Sequence, residues 1–239
     1  MGDPSARTSA PASQTLSRGI RMLEILAEAR APLAIDEVAG RLGVHRSIAY
    51  RLLRTLEDHR LVTRDRAGYV ALGPGMAALA SGVDHDLQAE ALPELTAVAN
   101  ELGMTCFLAV RDADECITLV SALPRHVVAP VAQRPGARHS ILVGAPGKAI
   151  LSALPPEQWP QDAGPALREE ISRAAEQGYA TSRDEVIPTV RAVAVPLRLR
   201  VGERPAAIAV VHVADAVEPE AVAQRLERSA ASIRDALGG

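Results

Sequence analysis

The 239-residue sequence predicts an α+β protein with two domains, each long enough to bury its own core. Residues 16–72 combine three segments of helical periodicity with a hairpin signal, the order found in a winged helix-turn-helix. Residues 87–237 mix strand-like runs with helices, which is typical of an α+β domain. No segment approaches the roughly 18 apolar residues that a membrane span requires. We therefore expect a soluble, cytoplasmic protein with no membrane contact.

Two helices are predicted in the first part of the chain. The first covers Leu16–Ala29 and is broken by Pro32. The second covers Ile35–Leu42 and stops at Gly43, a residue suited to the left-handed conformation that ends many helices. Its start is weak because Ala34 stands where a Ser or Thr side chain would cap the helix.

A third predicted helix, Arg46–His59, has an apolar face and an opposite polar face. Any amphipathic surface helix shows this pattern, so the prediction of DNA binding depends more on the neighbouring segments than on this helix alone. A tight turn at Gly43 precedes the helix, and strands at Leu61–Arg64 and Tyr69–Leu72 flank a turn at Asp65–Gly68. In this arrangement the third helix enters the major groove of DNA and the wing reaches phosphates or the minor groove. The candidate DNA contacts are His45, Arg46, Ser47, Tyr50, Arg51, Arg54, Arg64 and Arg66.

The charge distribution agrees with a nucleic-acid-binding first domain. Residues 1–80 contain 11 Arg and 8 acidic residues, a net charge of 11 − 8 = +3, and the rest of the chain contains 15 basic and 21 acidic residues, a net charge of 15 − 21 = −6. A weakly basic head on an acidic body fits a DNA-binding domain joined to a domain that avoids phosphate. A difference this small also arises by chance, so the prediction of DNA binding depends on the helix-turn-helix pattern, and the charge distribution only agrees with it.

Beyond Gly73 the sequence predicts a mildly helical linker followed by strands and helices. Helices are predicted at Leu87–Leu102, Ala145–Ala153, Leu167–Gln177 and Glu220–Leu237. Strands are predicted at Met104–Arg111, Cys116–Ala122 and Val127–Gln133, and a hairpin at Val193–Arg200 and Ala206–Val213. The expected organisation is a disordered leader without a signal-peptide pattern at 1–14, a winged helix-turn-helix at 15–73, a linker helix at 74–86 and a second domain at 87–239.

Several segments together resemble the IclR family of bacterial transcription regulators over 15–237. In the first domain they are SRGIRMLEILAEA, DEVAGRLGV, SIAYRLLRTLEDHRLV and GYVALG. In the second domain they are RPGARHSILVGAPGKAILSALPPE and EQGYATSRDEVIPTVRAVAVPL. The resemblance implies a winged helix-turn-helix, a linker helix and a C-terminal GAF-like α+β effector-binding domain that binds small metabolites. It also implies homodimers or homotetramers on partly palindromic double-stranded DNA operators.

The resemblance further implies an effector pocket in the second domain. In members that bind small 2-oxo acids, the pocket includes the loop matching Ala145–Pro146. It also uses polar or sulfur-bearing positions that align with Ser182, Ala192, Ala209 and Val211. Because the last three are apolar here, we expect a more apolar effector than a small oxo acid. The candidate effector-binding residues are Ala145, Pro146, Gly147, Lys148, Ser182, Val190, Ala192, Ala209 and Val211.

The segment GAPGK at 144–148 is not a nucleotide-binding P-loop. Leu142 and Ala149 stand where that motif requires its first Gly and its Ser or Thr. The backbone donors of 145–148 either hold a carbonyl or carboxylate of an effector or form a helix start that serves only packing. Lys148, the single Lys of the chain, either contacts the effector or pairs with an acidic residue. The 184–185 acidic pair either rims the pocket or is a solvated turn.

The sequence indicates no catalytic, metal or cofactor site. It has no G-x-S-x-G nucleophile motif. Cys106 and Cys116 lie in strand-like runs without disulfide or metal-ligand spacing, so we expect buried thiols. His126, His139 and His212 lack ligand-like spacing, which favours surface or packing roles.

These observations favour a ligand-responsive, DNA-binding transcription regulator that is not an enzyme, with repression favoured over activation. Its partners would be double-stranded DNA, a small-molecule effector and further copies of the chain. Two alternatives stay open. One is a metabolite-processing enzyme whose winged head mediates protein contacts, and the other is a constitutive DNA-binding protein with a degenerate pocket.

Overall fold

The computed structural model describes residues 13–29, 31–127, 130–200, 203–213 and 218–238. They form two compact units, the first ending at Val83 and the second beginning at Asp84. The leader expected at 1–14 lies outside the described residues except for Ser13 and Gln14, which open the first helix. No described helix is both long and apolar enough to cross a bilayer.

The first unit contains four helices and three short strands within its described residues. The helices are α1 (Gln14–Glu28), α2 (Ile35–Leu42), α3 (Arg46–Asp58) and α4 (Gly75–Ala80). The strands are β1 (Leu33–Ala34), β2 (Val62–Arg64) and β3 (Tyr69–Leu72). Helix α1 begins before the predicted Leu16 because the Ser13 hydroxyl accepts a hydrogen bond from the Leu16 amide. Gly43 ends α2 in the left-handed conformation, with φ 64°.

The wing is part of a three-stranded sheet with the order β1-β3-β2. The predicted hairpin of β2 and β3 is present. A third strand that was not predicted joins it: Leu33 pairs with Val70, and Ala34 pairs with Tyr69. A strand of two residues is too short to show a period-two pattern, so the sequence could not reveal it. Leu33 is buried, which ties the wing to the helical core.

The apolar face of α3 fixes the orientation of that helix. Ala49 and Leu53 are fully buried and pack with Met22 of α1, Val38 of α2 and Val70 of β3. Burying such side chains removes apolar area from water and is worth about 25 cal/mol per Å². The opposite, polar face of α3 consequently points to solvent.

The second unit is built on a six-stranded antiparallel sheet with the order β6-β5-β4-β9-β8-β7. Its strands are β4 (Thr105–Asp112), β5 (Glu115–Ala122), β6 (Arg138–Ser140), β7 (Ala180–Arg183), β8 (Arg191–Leu197) and β9 (Ala206–His212). Its helices are α5 (His85–Leu102), α6 (Ala145–Ser152), α7 (Pro165–Gln177) and α8 (Pro219–Ala236), with a 3-10 turn at Pro156–Gln158.

Helices cover both faces of this sheet. On one face Leu108 of β4 packs with Leu95 of α5 and Leu226 of α8. On the other, the adjacent Phe107 belongs to a cluster with Ile150 of α6. The alternation along β4 thus follows the period of two that a strand with both faces covered requires. Small residues dominate β8 and β9 under α6, which lets that helix approach the sheet.

Two strand expectations differ from the structure. The strand predicted at Val127–Gln133 is absent from the described residues of that range, 127 and 130–133, while 128 and 129 lie outside the described residues. That segment is held by side-chain bonds instead, from Thr105 Oγ1 to the Val131 carbonyl and from Gln133 Nε2 to Thr118 Oγ1, both 2.7 Å. Strands β6 and β7 were missed because both are short and mostly polar, so hydrophobic alternation does not mark them.

Replacement by Ala should lower the stability of the protein at Gly147 of α6 and raise it at Gly40 of α2. A Cβ on Gly147 would lie 2.2 Å from the Ile141 carbonyl oxygen, whereas a Cβ on Gly40 meets nothing within 4 Å. Gly147→Ala should therefore destabilise the protein by about 2–4 kcal/mol. Gly40→Ala should stabilise it by about 0.5–1 kcal/mol through helix propensity. Denaturant unfolding of the two variants checks both values, and equal effects would contradict the close approach at α6.

Candidate functional site

Arginines on the outward face of α3 are free to contact a ligand. Arg51 and Arg54 are exposed, and so is Arg66 in the turn of the wing. Among the described residues, none of the three has an acidic partner within ion-pair distance. Guanidinium groups without internal partners can bind phosphate oxygens or guanine edges without first breaking an ion pair.

The start of α3 is fixed by a small polar cluster. His45 caps the helix, its Nδ1 accepting from the Ser47 amide at 3.3 Å. The Arg46 Nε lies 3.0 Å from an Asp36 carboxylate oxygen of α2, and its guanidinium lies over the Tyr50 ring, 5.4 Å from the ring centre. The hydrogen bond to the Tyr50 hydroxyl, followed by the Asp36 charge, raises the pKa of Arg46. Arg46 thus also joins α2 to α3.

The wing is connected to the end of α3. Arg64 Nε lies 3.3 Å from a carboxylate oxygen of Glu57, so this arginine is partly neutralised within the unit. In the wing turn, Asp65 Oδ1 accepts a 2.9 Å bond from the Tyr69 amide, which fixes the turn that carries Arg66. The structure therefore places all the sequence-predicted DNA contacts on α3, at its cap or on the wing.

A cavity of about 40 Å³ lies in the second unit between the start of α6, the sheet and the loop 184–190. Of the predicted effector contacts, Pro146, Ser182, Val190, Ala192 and Val211 line it. Ala145, Gly147, Lys148 and Ala209 do not, although all four are buried nearby. Of the 184–185 acidic pair, for which rimming the pocket was one of two interpretations, Glu185 lines the cavity. Lining residues that the sequence reasoning missed are Phe107, Gln133, His139, Gly144, Val186, Ile187 and Arg191.

The backbone donors at the start of α6 are bound by side chains of the chain itself. The Gly144 amide donates to Glu185 Oε2 at 2.8 Å, and the Ala145 amide donates to Ser182 Oγ at 2.9 Å. Pro146, the next residue, has no N–H. An effector can therefore bind these donors only if Ser182 or Glu185 moves away.

Lys148 forms a buried ionic cluster at the same place. Its side chain is 4% exposed, and Nζ lies 2.5 Å from Glu170 Oε2 of α7 and 2.6 Å from Glu185 Oε1. A buried ammonium group without such partners would cost several kcal/mol. Of the two roles considered for Lys148, the structure therefore shows the ion pair. The pair fixes Glu185, which in turn holds the loop 184–190 against α6.

His139 of β6 lines the cavity and has a defined tautomer. Its Nδ1 lies 2.9 Å from the Ser140 carbonyl oxygen. A carbonyl only accepts, so Nδ1 carries the hydrogen, and in the neutral ring Nε2 then has a free lone pair. A Cβ built on Gly144 would lie 3.7 Å from that Nε2, which places the ring beside the α6 start. No spacing rule identifies His139, because its position depends on how 138–144 folds back on the sheet.

Asp184 closes the loop over the cavity. Its Oδ1 accepts a 2.6 Å bond from the Thr189 amide, and both residues have left-handed backbones, with φ 60° and 67°. Such conformations are unfavourable for residues other than Gly, so the loop stores strain.

Cys106 and Cys116 are both free and buried, as the sequence predicted, and neither lines the cavity. Burial raises the pKa of the Cys106 thiol and raises that of the Cys116 thiol to about 12.

Comparison with known proteins identifies the family. The family model of the IclR helix-turn-helix domain matches residues 15–66, and that of the bacterial transcriptional regulator IclR C-terminal domain matches 163–235. The HTH-type transcriptional regulator Rv1719 of Mycobacterium tuberculosis is 31% identical over 200 residues, which cover 77% of each chain. The chain belongs to the IclR family. This IclR-family protein is thus a DNA-binding transcription regulator and not an enzyme.

Two further relatives are informative for this IclR-family member. The transcriptional repressor IclR of Escherichia coli is 30% identical over 168 residues, 66% of this chain and 60% of the repressor. The crystal structure of an IclR homolog from Microbacterium hydrocarbonoxydans, complexed with 4-hydroxybenzoate, is 25% identical and has a TM-score of 0.78. It covers 94% of this chain and 99% of that chain. The α+β fold with an N-terminal winged helix-turn-helix is thereby confirmed.

Lys148→Met should destabilise the second unit by about 1–3 kcal/mol, because it leaves two carboxylates without their cation. Arg173→Ala is the matched control, since Arg173 forms an exposed pair with Glu169 at 3.1 Å. Removing that pair should change the free energy of unfolding by at most about 0.5 kcal/mol. Thermal unfolding of the full chain checks the difference, and equal stability of the two variants would show that the Lys148 cluster contributes little.

Proposed function

We propose that this protein is a repressor whose operator affinity is set by a small, mainly apolar molecule bound in the cavity at the start of α6. The observation that supports the proposal most directly is the cavity itself, which Pro146, Ser182, Val190, Ala192 and Val211 line together. These residues come from separate segments, as a binding site requires. The repressor IclR of Escherichia coli and the 4-hydroxybenzoate complex of the Microbacterium homolog support repression and effector binding.

In this proposal, α3 docks in the major groove and the wing contacts the backbone. Arg51 and Arg54 read bases or phosphates, and Arg66 contacts phosphate. Residues 45–66 contain six arginines and three acidic residues, so a single head supplies modest charge. Tight binding then requires the winged helix-turn-helix domains of several copies of the chain on one partly palindromic operator, which supports a homodimer or homotetramer. The full proposed DNA-binding set is His45, Arg46, Ser47, Tyr50, Arg51, Arg54, Arg64 and Arg66.

The cavity must enlarge before an organic molecule can enter. A volume of about 40 Å³ accommodates only about three water molecules, at roughly 10–15 Å³ each on this measure. Enlargement requires the loop 184–190 to move, and with it the Glu185 bonds to Gly144 and Lys148. The protein thus has a closed and an open state of the second unit. A ligand that binds the open state better shifts the equilibrium toward it.

The remaining predicted effector contacts act indirectly in this scheme. Ala145 offers its amide when Ser182 releases it, and Gly147 permits the close approach of α6 to Ile141. Lys148 holds Glu185, and Ala209 supplies small-residue packing beneath α6. The positions around the cavity that are polar in oxo-acid-binding members are mainly apolar here, so the preferred effector is mainly apolar.

Arg51→Ala and Arg54→Ala should each weaken binding to DNA from the protein's own promoter region by about five- to a hundredfold, because each removes about 1–3 kcal/mol of base or phosphate contact. Fluorescence anisotropy with labelled DNA at two salt concentrations measures the loss and its salt dependence. Arg21→Ala is the control, since Arg21 is already paired with Glu24 on α1 at 2.9 Å. Binding like the wild type by both α3 variants would overturn the assignment of the DNA-binding face.

A screen of small molecules for thermal stabilisation tests the effector site. A bound ligand raises the unfolding temperature because it binds the folded state only. Molecules that stabilise the wild type and lose their effect in Ala192→Asp, which puts a charge in the cavity wall, would support the site. Stabilisation that survives this substitution would place the ligand elsewhere. The absence of any stabilising molecule would favour a constitutive DNA-binding protein instead.

A further inference from the structure

We propose that His139 selects the effector by accepting a hydrogen bond from its hydroxyl group, so that the effector is an uncharged, mainly apolar alcohol or phenol. The inference rests on the proposed function, because it requires the cavity to be the effector site. It adds the chemical group that is recognised and the side chain that recognises it.

The first support is the orientation of the imidazole. Nδ1 of His139 donates to the Ser140 carbonyl at 2.9 Å, which leaves Nε2 as an acceptor in the neutral ring. Within the described part of the chain, Nε2 has no hydrogen-bond partner. His139 is half-buried and lines the cavity beside Gly144, so the lone pair is available where a ligand would lie.

The second support is that neighbouring polar groups are already bound. The Gly144 and Ala145 amides donate to Glu185 and Ser182, and Gln133 Nε2 donates to Thr118 Oγ1. The Arg191 side chain, which also lines the cavity, has an interaction of its own as well. A ligand therefore finds few unused donors in the cavity wall. A group that donates a hydrogen bond matches this wall better than a group that accepts one, because it meets an unused lone pair.

The third support is the charge around the cavity. A carboxylate has no hydrogen to donate to Nε2 and would lie close to the Glu185 carboxylate. The nearby cations already have partners: the Lys148 ammonium is shared by Glu170 and Glu185, and the Arg191 guanidinium, which lines the cavity, has an interaction of its own within the chain. An uncharged hydroxyl group has a hydrogen to donate to Nε2 and is not repelled by the Glu185 carboxylate.

The fourth support is the remaining surface of the cavity. Phe107, Val190, Ala192 and Val211 provide apolar contacts, and Val186 packs from the loop, its Cγ2 3.0 Å from a Cβ built on Gly144. A hydrocarbon body with one hydroxyl group therefore fits the wall, with the hydroxyl group directed at β6. The site distinguishes such a ligand from an analogue without the hydroxyl group, because the analogue leaves Nε2 of His139 without a hydrogen-bond partner.

Phenol and toluene test the inference on the full-length protein, since the two molecules differ mainly by a hydroxyl in place of a methyl group. Titration calorimetry should show that the wild type binds phenol about three- to tenfold more tightly than toluene, the value of one neutral hydrogen bond. His139→Phe should abolish that preference while toluene binding persists. His139→Gln, which retains an acceptor oxygen, should restore part of it.

Other outcomes separate failure of the inference from failure of the proposed function. Equal affinity of the wild type for phenol and toluene, or a preference that survives in His139→Phe, would overturn the role of His139 while binding at the cavity stands. Tighter binding of benzoate than of phenol, lost in His139→Phe, would assign a protonated ring and an anionic effector instead. Binding of none of the three probes to the wild type would contradict both proposals. Circular dichroism and DNA binding of each variant confirm that it is folded.

Discussion

The buried Lys148 ammonium, shared between Glu170 and Glu185, is the interaction on which the site in the second unit depends. It connects α6 to α7 and to the loop after β7. Because a buried cation must keep its partners, the cluster determines where Glu185 lies. Glu185 in turn binds the Gly144 amide and holds the loop 184–190 over a cavity too small for an organic ligand. The closed state of the cavity therefore follows from the need to neutralise one side chain.

The first unit depends on a different constraint, the burial of one face of α3. Its apolar residues are fixed in a core with α1, α2 and β3, so its polar face must point outward. Asp36 and Tyr50 hold Arg46 at the helix start, while Arg51 and Arg54 remain without acidic partners among the described residues. This division gives the helix one arginine with partners inside the unit and two whose guanidinium groups have no acidic partner there. In the proposed function, the first unit supplies a helix that faces DNA, and the second unit supplies a site with a closed and an open state.

The sequence predicted what depends on periodicity and missed what depends on contacts between distant residues. The long helices and the strands β4, β5, β8 and β9 all show hydrophobic patterns, and the structure contains them close to the expected bounds. Strand β1 is too short for such a pattern, and β6 and β7 are too polar. The bond between Ala145 and Ser182 joins residues 37 positions apart, as does that between Lys148 and Glu185. Nothing in a single sequence indicates such a pair. The sequence allowed the 184–185 acidic pair to rim the pocket, but the bonds that Glu185 forms and the position of His139 follow only from the fold.

The central claim is that a molecule bound in the cavity changes the affinity for DNA. The most direct measurement is the dissociation constant for promoter-region DNA, by anisotropy, with and without a saturating concentration of a molecule that thermally stabilises the full-length protein. Allosteric coupling of about 1–3 kcal/mol predicts that the ligand weakens DNA binding by about five- to a hundredfold. A dissociation constant that does not change at saturation would contradict the claim, because a ligand with equal affinity for both states shifts neither.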